Sequence, residues 1–201
     1  ASNESAWEVS DAWMKRKHLS VNVRDYHSLN WLLYVYLQQG RYRKAEELLT
    51  LMKKTMSEST YDNKLRPGYY ENNWANMAAA FVVETERWEL ARTLFPQSSG
   101  ASEQSAMTAH GGHGASERLP AFIRGLATAH GISFNETASP TSNTPPSIGE
   151  LEVTALTASL KNNHAQAIEV MKRAVAAEEQ LAPPSGPPTL IKPTHELFGE
   201  I

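Results

Sequence analysis

The sequence predicts an all-α protein built from antiparallel helical hairpins, and three observations carry that prediction. Apolar residues recur at helical spacing, first as Leu29, Leu32, Leu33, Tyr36 and Leu37, then as Ala45, Leu48, Leu49, Met52 and Met56. Gly40 stands between the two stripes, where a left-handed residue ends one helix. Arg41-Tyr42 opens the next helix at once, so the pair must fold back on itself. A ring-bearing residue followed three positions later by alanine marks the second helix of each hairpin, in Tyr42/Ala45, Trp88/Ala91 and His164/Ala167. The small residue lets two helix axes approach closely. One hairpin cannot bury both of its faces, so neighbours of the same kind are expected.

In chain order, residues 1–18 read as the second helix of a hairpin, running from Ser5 to about Lys17, with Ser5 and Glu8 spaced as a capping box, a fortuitous spacing if the helix begins before Ser5. Trp7 and Trp13 are expected to pack on the hairpin that follows, residues 25–57. A polar loop from Ser57 to Arg66 leads to the hairpin 67–96. Its first helix carries Tyr70, Trp74, Met77, Ala78, Phe81 and Val82, and its second carries Trp88, Leu90, Ala91, Leu94 and Phe95 until Pro96 stops it. Residues 97–115, rich in Ser, Gly, Ala and His, read as an irregular insertion. A helix over 116–131 follows, with Pro120 in its first turn, and then a Pro-, Ser- and Thr-rich linker, 132–146.

The hairpin 147–182 opens on a second S-x-x-E box, Ser147 with Glu150. Leu151, Ala155, Ala158 and Leu160 run to Asn162-Asn163, and His164, Ala167, Ile168, Met171, Ala174 and Val175 form the partner helix. The run PPSGPP is expected to be extended, and residues 194–201 begin a further helix. The chain starts without Met and stops within that helix, so it is expected to be a piece of a longer protein.

Composition narrows the function classes. The 201 residues suffice for one ordinary domain burying roughly 70% of its unfolded surface. A formal charge of -3, with no cluster of Lys and Arg among aromatics, argues against nucleic acid. No apolar run approaches the roughly 18 residues of a spanning helix, so no membrane insertion is expected. Cys is absent, which removes disulfides, thiolate metal sites and cysteine nucleophiles. His110 and His113 flank two glycines, but two imidazoles without further fixed ligands fall short of a structural zinc site. Neither metal nor cofactor is expected.

Leu29, Leu32, Leu33, Tyr36, Gly40, Tyr42, Ala45 and Leu49 resemble the tetratricopeptide repeat (TPR), with its knobs, turn glycine and small crossing residue in a unit of about 34 residues. Together with YYENNWANMAAAFVVETERWELA and IKPTHELFGEI, the run DYHSLNWLLYVYLQQGRYRKA is similar to the C-terminal half of a family of bacterial TPR-repeat proteins without an assigned activity. The likeness weakens from Gln97 to Ser147. It implies one TPR-like domain over 1–201, a right-handed solenoid with irregular insertions. Many family members start with an export signal, which implies an exported, periplasmic location, with a cytoplasmic one as the alternative.

In such a stack the first helix of each pair lines the concave side. Residues there outside the packing stripe are His27, Asn30, Tyr34 and Gln38, then Asn72, Asn73 and Asn76, with Glu152 and Glu196 at comparable places further on. His27, Asn30, Tyr34, Asn73, Asn76, Glu152 and Glu196 are therefore candidates for a groove that hydrogen-bonds an extended peptide or protein segment. No Lys or Arg falls on these positions, so the carboxylate clamp of some TPR domains is not expected. The alternatives are that these residues are the solvated side of amphipathic helices, that the chain fills its own groove as an assembly module, or that a hydrolase or small-molecule site is hidden there. No nucleophile elbow, phosphate-cradling loop or H-E-x-x-H occurs, and Asp25 stands two residues from His27, a spacing that points side chains apart on a helix.

Overall fold

The periodicities above become helices wherever the chain is described. The computed structural model describes residues 2–58, 60–62, 64, 67–96, 115–134, 145–183 and 190–201, and among them all regular structure is helical. Contacts cluster into two compact units, Ala1–Thr85 with Ser98–Glu117 in the first and Glu86–Gln97 with Arg118–Ile201 in the second. The expectations for His110, His113, most of the insertion and most of PPSGPP lie outside the described residues.

In the first unit, α1 spans Ser2–Arg16, α2 Tyr26–Gln38, α3 Tyr42–Thr55 and α4 Tyr69–Thr85. Each packs on the next, and α2 also touches α4, so α2 is flanked by three helices. That is why Leu29, Leu32, Leu33, Tyr36 and Leu37 are all buried. Asp25 caps α2 by accepting hydrogen bonds from the Ser28 amide at 3.0 Å and its hydroxyl at 2.6 Å. At the other end Gly40 adopts φ +66°. The Arg41 amide then donates to Tyr36 at 2.8 Å and the Gly40 amide to Leu37 at 2.9 Å, the paired bonds of a Schellman turn. Ala45 is wholly buried where α3 crosses, and Met52 beside it likewise.

Helix α1 begins at Ser2, so Ser5 lies inside it and its spacing to Glu8 does not mark the start. Trp7 does pack on the hairpin, edge-on to Tyr26 at 5.7 Å, whereas Trp13 remains 42% exposed. Six residues turn a helix by roughly 240°, which takes Trp13 off the buried face. A buried charge ties this end together. Arg24 Nε lies 2.8 Å from Asp11 Oδ1, an ion-pair distance without hydrogen-bond alignment, and Nη1 lies 3.2 Å from Glu58. Around it Tyr26 and Tyr70 meet edge-on at 5.0 Å, their hydroxyls donating to the Val21 and Asn22 carbonyls at 2.7 and 3.0 Å.

In the second unit, a 3-10 turn at Trp88–Leu90 runs into α5, Ala91–Leu94, followed by α6, Ala115–Ala129. Helix α7 covers Ile148–Leu160, α8 His164–Glu178 and α9 Thr194–Glu200. Pro120 sits in the second turn of α6, not the first, because that helix starts at Ala115. Both halves of the Ser147 capping box form, with Glu150 Oε2 2.6 Å from the Ser147 amide. Helices α6 and α7 meet through reciprocal notches. A Cβ on Gly125 would stand 2.9 Å from Val153, and one on Gly149 would stand 2.9 Å from Phe122, so each glycine accepts a branched or aromatic side chain from the other helix. Helices α7 and α8 pack along their length, with Ala155, Ala167, Met171 and Ala174 wholly buried, and α9 touches both.

Candidate functional site

On α2, residues spaced three and four apart share a face. His27, Asn30, Trp31 and Tyr34 do so: His27 is exposed and the other three half-buried. The Trp31 indole N–H donates to His27 Nε2 at 3.1 Å, and the Trp31 ring meets that of Tyr34 edge-on at 6.3 Å. Asn30 Nδ2 donates to Asn73 Oδ1, joining α2 to α4. Asn73 in turn donates to the Tyr69 carbonyl at 2.6 Å, and Asn76 stands one turn further along α4, exposed. The result is an uncharged strip of aromatic edges, an imidazole and amides. An amide carries two N–H donors, and these bonds use one from each of Asn30 and Asn73.

The only carboxyl near His27 in sequence is already engaged. Burial works against ionisation of Asp25, but the hydroxyl and amide of Ser28 outweigh it and hold its pKa below the usual value. Asp25 therefore serves as a helix cap, and His27 is oriented by Trp31.

The remaining two candidates belong to the second unit, and their surroundings differ. Glu196 is on the exposed side of α9, 2.6 Å from Lys192 Nζ, which also lies 2.5 Å from Glu200. Burial alone would lower the Lys192 pKa, but these two hydrogen bonds outweigh it and the pKa stands above its ordinary value. Glu152 is 1% exposed, and its Oε1 has no hydrogen-bond donor among the described residues. Burial pushes this carboxyl up to about 8; the charge of Glu178 adds to the rise and Lys192 opposes it. Glu178 Oε2 accepts from the Thr194 amide at 2.8 Å and from its hydroxyl, at the start of α9.

Sequence spacing thus selects Asn30 and Asn73, which the fold brings together, and His27 and Tyr34, which Trp31 links. It does not select Trp31 itself, although a tryptophan four residues after His27 and three before Tyr34 is a readable signal. The association of Glu178 with Thr194 has no such signal, because it depends on how the chain returns after α8. In the same unit, Trp88 and His130 stack at 4.3 Å with their planes 5° apart, and burial lowers the His130 pKa.

No group of three or more His, Cys, Asp or Glu among the described residues is placed to hold a metal ion, and no helix there is long and apolar enough to cross a membrane. Set against protein-family models, curated proteins and solved structures, the chain finds no match in any of the three.

Proposed function

We propose that this chain is a TPR-like helical-repeat scaffold and that the α2–α4 face of its first unit binds an extended peptide or protein segment without chemical turnover. The observation that carries the reading is the Asn30–Asn73 amide pair, which bridges two helices on the half-open strip flanked by Trp31 and Tyr34. A peptide backbone presents alternating N–H and C=O groups, and neutral amides meet both without the desolvation cost of charges. Trp31 and Tyr34 supply apolar area for side chains at a low entropic cost. The order of packing, with α2 against α1, α3 and α4, is that of a hairpin stacked between neighbours and supports a solenoid reading. Binding is favoured over hydrolysis because Asp25 is committed to Ser28, and among the described residues no hydrogen bond joins His27 to a carboxylate.

The test is affinity capture from a lysate with the wild-type chain and with an Asn30→Ala, Asn73→Ala, Asn76→Ala variant whose helicity is intact. A protein held by the wild type and at least tenfold depleted with the variant is the expected result. Equal capture by both would remove this face as the site.

A further inference from the structure

Glu152 is a buried acid that the proposed peptide face does not use. It lies on α7, against which α9 packs, and the charges acting on it come from Glu178 on α8 and from Lys192 just ahead of α9. We propose that a proton on Glu152 controls the docking of α9 on α7 and α8: the helix stays docked while that carboxyl is neutral and is released when it ionises.

Helix α9 packs on both α7 and α8. Its attachment is small and well defined. Leu197 is 2% exposed, Thr194 is wholly buried, and Glu178 caps the helix through the Thr194 amide and hydroxyl. On α7, which α9 touches, a Glu152 carboxyl oxygen has no donor among the described residues, a tolerable arrangement for a neutral acid and a costly one for an anion. Lys192 relieves it only in part, because its ammonium is also engaged by Glu196 and Glu200. An ionised Glu152 would therefore face Glu178 as a like charge in a dry site. Lifting α9 releases Glu178 from Thr194 and lets that carboxylate turn away from Glu152.

The direction follows from linkage. The docked state holds Glu152 protonated up to about pH 8, whereas the released state ionises it at lower pH, toward the ordinary value of 4.5. Docked molecules thus bind more protons between those limits, and docking weakens as pH rises through that window and levels off above it. The inference concerns the second unit and stands independently of the peptide-binding face.

Hydrogen exchange of the 201-residue chain, corrected for intrinsic rates, reads this directly. Amide protection across α9 is expected to fall at least tenfold between pH 6 and pH 8.5 in the wild type. It should stay flat in Glu152→Gln, which keeps the shape and cannot ionise, while Leu197→Ala marks the fully released level at every pH. Protection that is independent of pH in the wild type, or equally pH-dependent in Glu152→Gln, would overturn the proposal. A second readout needs no variant at Glu152. The carboxyl carbon of Glu152, followed by NMR, should titrate near 8 in the wild type and move toward the ordinary range in Leu197→Ala; an ordinary midpoint in the wild type would overturn the idea.

Discussion

The α2–α3 hairpin of the first unit and the α7–α8 hairpin of the second are the same device with different contents. Each turn has a left-handed residue, Gly40 at φ +66° in one and Asn162 at φ +60° in the other. Each uses the same pair of amide bonds, Arg41 to Tyr36 and Gly40 to Leu37, matched by Asn163 to Ala158 and Asn162 to Ser159. Five residues past each left-handed position stands a wholly buried alanine, Ala45 or Ala167. Ten residues before it stand Asn30 and Glu152. The amide is half-open and meets Asn73 on α4; the acid is closed over and has no donor at Oε1 among the described residues. A common frame therefore holds two opposite polar solutions, a neutral one that is satisfied and remains accessible, and an ionisable one that is tolerated only with its proton on.

The largest test of that difference is pH. Stability of the wild-type chain should fall between about pH 5 and pH 8, because the folded state holds the Glu152 proton to about 8 while the unfolded state loses it near 4.5. The ceiling on the loss is about 5 kcal/mol, reached only if α9 stays docked throughout. Release of α9 caps it lower, since the carboxyl then regains water without global unfolding. Glu152→Gln should remove this component, and urea unfolding at pH 5.5 and pH 8.5 measures it; an equal pH response in both proteins would mean that another group is responsible. No comparable response is expected from Asn30→Gln, which cannot titrate.

The next test addresses what the hairpins share. Ala45→Leu and Ala167→Leu each insert a branched side chain where two helices cross with no exposed surface, and each should cost about 3 kcal/mol. Chemical denaturation distinguishes the outcomes. Equal losses mean that the two crossings are equally close, whereas a change tolerated at one site would show that its hairpin can spread and that the shared frame is only a sequence pattern.

How much of this was legible in the sequence follows from range. The Ser147 box, the Gly40 turn and the buried alanines are decided within five residues of chain, and periodicity alone finds them. Asn30 and Asn73 share an accessible face by spacing, yet their bond requires α2 and α4 to be neighbours. Ser5 has the right partner at the right distance but sits inside a helix that had already begun, so local chemistry misleads there. The environment of Glu152 is the least legible. Its spacing is that of a groove residue, yet the fold leaves it 1% exposed, with Glu178 of α8 and Lys192 acting on it from distant parts of the chain. A polar residue on a helix face is open or buried according to what later arrives, which no window of the sequence records.

The smallest expected effect sharpens the comparison at the turns themselves. Gly40 has nothing within 4 Å of where a Cβ would stand, so Gly40→Ala tests backbone conformation with no packing clash. At φ +66° an L side chain crowds its own backbone by about 1 to 2 kcal/mol, and the lower entropy of unfolded alanine returns part of that, leaving a net loss of about 1 kcal/mol. Asn162 occupies the equivalent conformation with a side chain that tolerates it, so Asn162→Gly should change stability by no more than about 0.5 kcal/mol. The pair of thermal midpoints decides between two views of the turn. If the left-handed residue is a requirement that glycine meets and asparagine meets nearly as well, the first substitution lowers the midpoint and the second barely moves it. If Gly40→Ala is as mild as Asn162→Gly, the fold-back of each hairpin is enforced by the buried faces of its helices, and the turn residue only follows.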